Sequence, residues 1–354
     1  MKALVYREYA PDDNFGDILK VEEIPNPEPQ PNEVLIQVKA SALNYNDVWG
    51  MRGNPIPVEL PHTSGSDAAG DVLAVGSEVT SIKVGDRVAV HANFACRVCE
   101  ACTSGREYDC SKRMVWGFQT TPGSHAEQVC LPEVNVVKIP DSVSYEQAAA
   151  AAMNLLTAWH MLVGRAQIKP GQLVLIMGGR SGVGHLGIQI AKLYNCTVIA
   201  TASPENAALC KELGADYVVN HRDEGWVKEV RGICKEIAKQ TGGAPGIDVS
   251  FDHVGETHFN AQLTLLKFGG TLVSCGATTG YDAKIDLRQI FFKGTNVLGS
   301  TQGTKAELEQ GFYWMGQGKI KSAIGAEYTF DQAAEAYEQF LSGKGLFGKI
   351  IIKP

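Results

Sequence analysis

Four cysteines, Cys96, Cys99, Cys102 and Cys110, fall in one short stretch with the spacing C-x2-C-x2-C-x7-C. Four thiolates this close suit a single tetrahedral zinc ion. Sulfur would then fill every coordination position and leave none for water or substrate. Such a metal pins a lobe (residues 93–113) and does no chemistry. An iron–sulfur cluster is the alternative use of the same ligands, and free thiols are the plainest. The other cysteines are scattered, and the total of nine is odd, which does not make a disulfide framework.

A second stretch with chemical content is LVLIMGGRSGVGHLGIQIAK, residues 173–192. Leu173 to Met177 is a solid apolar run, as expected of a strand buried on both faces of a parallel sheet. Gly178, Gly179, Gly182 and Gly184 then mark a tight turn, and Leu186, Ile188 and Ile190 recur at helical spacing. A glycine-rich turn from strand to helix lets backbone approach a pyrophosphate and aims a helix N-terminus at it. The pattern departs from GxGxxG, and by itself it also fits an ordinary turn.

The elements around these stretches fall into two styles. After Leu173, strand and helix alternate. The expected strands are 173–177, 197–202, 216–221, 248–252, 271–276 and 296–300, which together describe a doubly wound dinucleotide-binding sheet. Before it, VLIQV (34–38), SGSDAAGDVLAVG and VGDRVAV read as mostly antiparallel strands, and the chain returns to that style at KIIIKP. Residues 141–162, rich in alanine, read as a helix capped by Ser142 or Ser144. The fold class is therefore α/β, with residues 1–152 and 302–354 in one domain and 153–301 in the other. The chain has 354 residues, more than one small core needs. Its net charge of -7 argues against general nucleic-acid binding. No apolar run is long enough to span a bilayer, and the first residues lack a signal-peptide core, so a cytoplasmic enzyme is expected.

Taken together, the cysteine lobe, SGSDAAGDVLAVG, VGDRVAV, GGRSGVG and KELGADYVVN resemble the medium-chain dehydrogenase/reductase superfamily over essentially the whole chain. The resemblance implies a GroES-like catalytic domain, an inserted Rossmann domain and an active site in the cleft between them. Alcohol dehydrogenases of that family hold a catalytic zinc at positions that here carry Asn44, Ser66 and Asn154, none of them a good ligand. No catalytic zinc is expected, and without that Lewis acid alcohol oxidation loses its main stabiliser. Zinc-free members mostly reduce activated C=C bonds with NADPH.

WGFQTTPGSHAE (116–127) and LNYNDVW (43–49) are similar to the crotonyl-CoA carboxylase/reductase branch. The branch passes hydride from NADPH to an enoyl-CoA, and the enolate captures carbon dioxide. Phe118 and an Asn of NYN are kept. The branch's carbon dioxide-pocket Glu and His match Gln119 and Thr301, which cannot supply the lost charge. The resemblance therefore implies an enoyl-CoA reductase whose enolate is protonated, acting on an acyl-CoA partner and pairing as a homo-dimer or homo-tetramer. A quinone or enone reductase, and a non-catalytic NADPH-binding protein, are the competing readings.

Donors must wait for the developing enolate. The candidates are Asn44, Tyr45, Asn46 and Gln119, with Tyr45 as the expected proton donor. Around the cofactor the resemblance implies Thr157, Gly179, Arg180, Ser181, Gly182, Val183, Gly276 and Lys349. At the end of the second Rossmann strand stand Thr201, Ala202 and Ser203, with no acid on the strand end to repel a 2′-phosphate. Ser203 can donate to that phosphate, Arg180 or Arg222 can supply charge, and His221 occupies a place beside it. NADPH is the expected cofactor. His253 is read as structural.

Overall fold

The computed structural model describes all 354 residues. The chain forms two compact units, Met1–Leu156 with Gly303–Pro354, and Thr157–Gln302.

In the second unit six strands form one parallel sheet: Leu173–Ile176, Thr197–Thr201, Tyr217–Val219, Ile247–Asp252, Leu266–Ser274 and Asn296–Gly299. Their spatial order is third, second, first, fourth, fifth, sixth, and every neighbouring pair is parallel. This is the doubly wound sheet expected from the alternating elements. The first strand is buried along its whole length, which explains why its sequence shows no polar alternation. The order reverses between the first and fourth strands, so their C-terminal ends flank the crevice where such sheets bind ligands.

In the first unit the centre is the ten-residue strand Glu33–Ala42. It pairs antiparallel with Ala68–Val75, Gln128–Pro132 and Lys349–Lys353. Val34, Ile36 and Val38 alternate into a core shared with Val72, Val88, Val90 and Trp116. Where the strand ends, Leu43 enters a second core with Leu4, Tyr6, Met51, Phe118 and Tyr337. Register also places the polar residues. Ile351 faces Ala42 and Ile352 faces Ser41, so the same antiparallel count brings Lys349 beside Asn44. Ser41 faces Ala68, which puts Asp67 next to the same corner.

The alanine-rich helix runs from Tyr145 to Trp159 and continues as a π-helical turn, His160–Arg165. Ser144 is the cap: its Oγ accepts from the Gln147 backbone N–H at 3.2 Å. The Ser142 hydroxyl instead donates to the Gly316 carbonyl at 3.2 Å.

Gly70 lies where the strands Glu33–Ala42 and Ala68–Val75 approach most tightly, and a Cβ there would stand 1.9 Å from the Gln37 carbonyl oxygen. Only backbone movement relieves that clash. Gly70→Ala is expected to cost about 1–3 kcal/mol of stability in urea unfolding. An unchanged midpoint would contradict the pairing described.

Candidate functional site

The glycine turn is held from beneath rather than by its own sequence. The Gly178 N–H donates to Thr201 Oγ1 at 2.9 Å, and the Gly179 N–H donates to the Thr201 carbonyl at 2.7 Å. From the fourth strand's end, His253 Nε2 lies 2.9 Å from the Met177 carbonyl and 3.0 Å from Ser181 Oγ. Donation to the carbonyl requires the proton on Nε2. Ser181 Oγ in turn accepts from the Gly184 N–H at 2.9 Å. Gly178 has φ +60°, and a Cβ at Gly184 would stand 2.2 Å from the Gly178 carbonyl oxygen. These two positions require glycine. Gly179 packs against Cys210, Ala200 and Ile188, while a Cβ at Gly276 would meet the His253 carbonyl. Gly182 and Val183 complete the half-buried turn ahead of the helix Gly184–Leu193.

One expected cofactor residue has other work. Thr201 is fully buried and spends its hydroxyl on Gly178 and on Met177 Sδ. It shapes the turn and does not reach outward. His253, read as structural, is fastened to that turn. Behind it, the buried carboxylate of Asp252 accepts from Gln262 Nε2 and Ser274 Oγ, both at 2.8 Å. Sequence reading did not single out Asp252. Its one signal was an acid at the C-terminal end of the strand, where ligand-binding residues gather in such sheets.

At the ends of the second and third strands stand Ser203, His221 and Arg222. Ser203 Oγ accepts from Asn206 Nδ2 at 3.0 Å. His221 stacks edge-on against His258, with ring centroids 5.2 Å apart. Burial pushes its imidazole down to about 4, with His258, Arg222, His253 and Arg180 adding like charge. His221 is therefore neutral at pH 7 and contributes shape rather than charge. Thr157 is half-buried, and Thr301 is exposed beyond the last strand of the sheet.

The first unit contains a buried polar cluster. Lys349 is 4% exposed, and Asp67 and Asp47 are fully buried. Lys349 Nζ donates to the Leu43 carbonyl, to Asn44 Oδ1 at 2.7 Å and to Asp67 Oδ2 at 3.2 Å. Asn44 Nδ2 donates to Asp67 Oδ2 at 2.7 Å, and Asp67 Oδ1 accepts from the Met153 N–H at 2.7 Å. An ammonium has three protons, so Lys349 has none left for a cofactor. The expectation that it binds one is corrected to a structural role. Asn44 is likewise saturated at both ends of its amide and is no free enolate donor.

Asp47 accepts from the Asn44 and Gly65 N–H groups at 2.7 and 3.2 Å. Burial still pushes its carboxyl up to about 7, against the pull of these bonds and of Lys349. The NYND spacing carried this signal, an acid three residues past a helix-start asparagine, but the sequence reading gave it no role.

The remaining expected site residues in this unit are each held by local partners. Tyr45 packs edge-on against Trp49 at 5.6 Å and against Phe340 at 6.1 Å, with its hydroxyl toward Arg52. Arg52 can only donate, so the Tyr45 phenol keeps its own proton. Asn46 Nδ2 donates to Ser66 Oγ at 2.9 Å, and its Oδ1 is buried with no partner. Phe118 is core. Gln119 Oε1 accepts from the Val115 N–H at 2.9 Å, which leaves Nε2 as its donor end.

The sulfur atoms of Cys96, Cys99, Cys102 and Cys110 lie within 4.8 Å of one another. The N–H groups of Cys96 and Lys112 point at Cys110 Sγ at 3.5 and 3.4 Å. Four converging sulfurs, one of them receiving backbone N–H groups, fit a tetrahedral thiolate-bound zinc. The lobe is tied to its own unit by Glu107, whose carboxylate accepts from the Lys305 N–H at 3.1 Å.

Two outcomes are expected from this geometry. The unfolded Asp47 carboxyl titrates near the ordinary carboxylate value of 3.8 and the folded one at about 7, so the native state holds the extra proton between those values. Asp47 therefore stabilises the fold most at low pH and loses that contribution as pH rises through 7. Relative to Asp47→Asn, wild-type unfolding free energy should fall by about 1 kcal/mol per pH unit across that window; parallel curves would refute it. Metal analysis should return about one zinc per chain, and Cys110→Ser should lower both metal content and thermal midpoint. A zinc-free protein of unchanged midpoint would remove the site.

The chain matches the family model described as alcohol dehydrogenase GroES-like domain over residues 30–141 and that described as zinc-binding dehydrogenase over residues 182–316. A crotonyl-CoA carboxylase/reductase of Cereibacter sphaeroides is 32% identical over 305 residues, covering 80% of this chain and 71% of the relative. A quinone oxidoreductase of Pongo abelii is 29% identical over 352 residues, covering 96% and 95%. A solved NAD-dependent alcohol dehydrogenase superposes with a TM-score of 0.92 at 36% identity over 100% of both chains. No helix is long and apolar enough to cross a membrane. By these matches and by its two units, the chain belongs to the medium-chain dehydrogenase/reductase superfamily and is an oxidoreductase of that family.

Proposed function

We propose that the chain reduces the C=C bond of a short enoyl-CoA with NADPH, protonates the resulting enolate, and carboxylates it little or not at all. The observation that carries this reading is the saturated amide of Asn44. At a position where zinc-dependent relatives place a ligand, this chain has an amide bonded to Lys349 and Asp67. Ser66, at a second such position, accepts from Asn46. A neutral amide and a hydroxyl in these roles are poor metal ligands, so chemistry that needs a Lewis acid on an alcohol is disfavoured. The similarity of the WGF and NYN stretches to the crotonyl-CoA branch, and the 32% identity to one of its members, support the thioester substrate.

NADPH would supply the hydride to the β-carbon. The chain's own part is to cradle the dinucleotide on the glycine turn and to present donors to the thioester oxygen, where negative charge develops. Gln119 suits this task, because its anchored Oε1 leaves Nε2 to donate. Tyr45, whose phenol keeps its proton beside Arg52, is the proton donor to the enolate. One structural zinc on the four cysteines completes the assignment. The second reading, a quinone or enone reductase, is favoured by the quinone oxidoreductase similarity.

Absorbance of NADPH followed with crotonyl-CoA, and separately with a naphthoquinone, distinguishes the two. The thioester is expected to be consumed faster, and in bicarbonate-rich buffer the product should be the saturated acyl-CoA. Turnover of the quinone alone would overturn the proposal, and a dominant alkylmalonyl product would overturn its last clause.

A further inference from the structure

Arg97 sits inside the cysteine lobe, between Cys96 and Cys99, at φ +60°, a left-handed backbone conformation that an arginine keeps only when its surroundings impose it. Its side chain is held at a cost as well. Nη1 lies 3.6 Å from Glu107 Oε1, while Nε and Nη2 are buried with no partner. Unfilled buried donors of a charged group are expensive. The same Glu107 oxygen accepts from the Lys305 N–H at 3.1 Å. One carboxylate thus joins the lobe to the start of the helix Lys305–Gly316, and both Arg97 and Glu107 stand between cysteines of the cluster. Sulfur geometry fixes where the cluster can be opened. Cys99 Sγ lies 3.6 Å from Cys102 Sγ, and Cys96 Sγ lies 3.9 Å from it. Cys99 and Cys102 are half-buried beside Val98, which is 81% exposed, whereas Cys110 is fully buried. The Cys99 carbonyl accepts from the Thr103 N–H at 2.9 Å, so these two cysteines share one helical turn. Their Cα atoms are then about 5 Å apart, a span that a disulfide closes.

We propose that Cys99 and Cys102 form a peroxide-oxidisable dithiol, and that their disulfide strips the lobe of its metal and frees Glu107 from the helix Lys305–Gly316. The inference rests on reading the four sulfurs as one zinc site, and on nothing about the substrate. One thiolate attacks an oxygen of hydrogen peroxide, giving a sulfenic acid and hydroxide. The second thiolate attacks that sulfur, forms the S–S bond and expels another hydroxide. Two electrons pass from the sulfurs to the peroxide, and two protons from solvent turn the hydroxides into water. Cys96 and Cys110 remain, and two thiolates do not complete a tetrahedral site. With the cluster open, nothing holds Arg97 at its strained φ or keeps its donors buried, so relaxation of that residue draws the lobe away from Lys305. A thiol reductant with added zinc reverses the change.

The test uses the purified protein, its metal content measured first, and treats it with a small excess of hydrogen peroxide. Released zinc is followed with a chromophoric chelator, cysteines are mapped by mass spectrometry, and hydrogen exchange is measured at the Lys305 amide. The expected result is about one zinc released per chain and a Cys99–Cys102 disulfide, with the buried Cys196, Cys210 and Cys234 still reduced. Exchange at Lys305 should become roughly tenfold faster, the scale of one lost hydrogen bond to a charged group. Dithiothreitol with zinc should restore both metal content and protection. Zinc retained while the scattered cysteines oxidise would overturn the proposal, as would a Cys96–Cys102 linkage or sulfinic acids that dithiothreitol does not reduce. Zinc release with unchanged exchange at Lys305 would overturn the link to the helix alone. A protein purified without zinc would overturn the metal site and the proposal with it.

Discussion

One buried cation, the ammonium of Lys349, constrains the polar interior of the first unit. A charge taken out of water is tolerated only when it is paired and its hydrogen bonds are filled. Lys349 meets this with a carbonyl, an amide oxygen and a carboxylate drawn from two different stretches of chain. The arrangement holds three things in place at once: the strand Lys349–Lys353 against Glu33–Ala42, the start of the helix Tyr45–Arg52, and the strand that begins after Asp67. Burying two carboxylates against one ammonium leaves the cluster short of positive charge. Asp47, farther from the ammonium's hydrogen bonds, is the group whose protonation absorbs the shortfall.

The scaffold was legible from the sequence because it is periodic. Apolar runs without alternation announced the parallel strands, and all six appear in the order that a doubly wound sheet requires. Most of their ends differ by one or two residues, as with Tyr217–Val219 inside the expected 216–221, but the fifth strand begins at Leu266, well before the expected 271. The cysteine cluster was legible because its ligands are local, and a spacing in sequence becomes a spacing in space. The side chains of the expected catalytic set were not. Tyr45 lies between two asparagines in sequence, yet its ring turns to Trp49, Phe340 and Arg52 while theirs turn to Asp67 and Ser66. Neighbours along a helix start point in different directions, and no local pattern says which. Lys349 illustrates the same limit: an isolated lysine in a C-terminal strand reveals its burial only once strand register is known.

The cysteine lobe is not an appendage to its unit. Glu107, 6% exposed, reaches from the lobe to the Lys305 N–H in the first turn of the helix Lys305–Gly316, where the Thr304–Glu307 capping box pairs the Glu307 N–H. Nearby, His91 Nε2 and Asn93 Nδ2 both approach the Gly303 carbonyl, at 3.3 and 3.4 Å. The lobe with its four converging sulfurs is thus fastened through Glu107 to the point where the chain re-enters the first unit.

The support beneath the glycine turn bears on how portable that turn is. Its shape depends on a threonine hydroxyl from the second strand and an imidazole from the end of the fourth, and neither belongs to the glycine stretch. A transplant of GGRSGVG into another chain would carry the sequence without the conformation. The unit of inheritance is the turn together with Thr201 and His253. Drift at either of those two positions would undo the turn's shape while leaving every glycine intact.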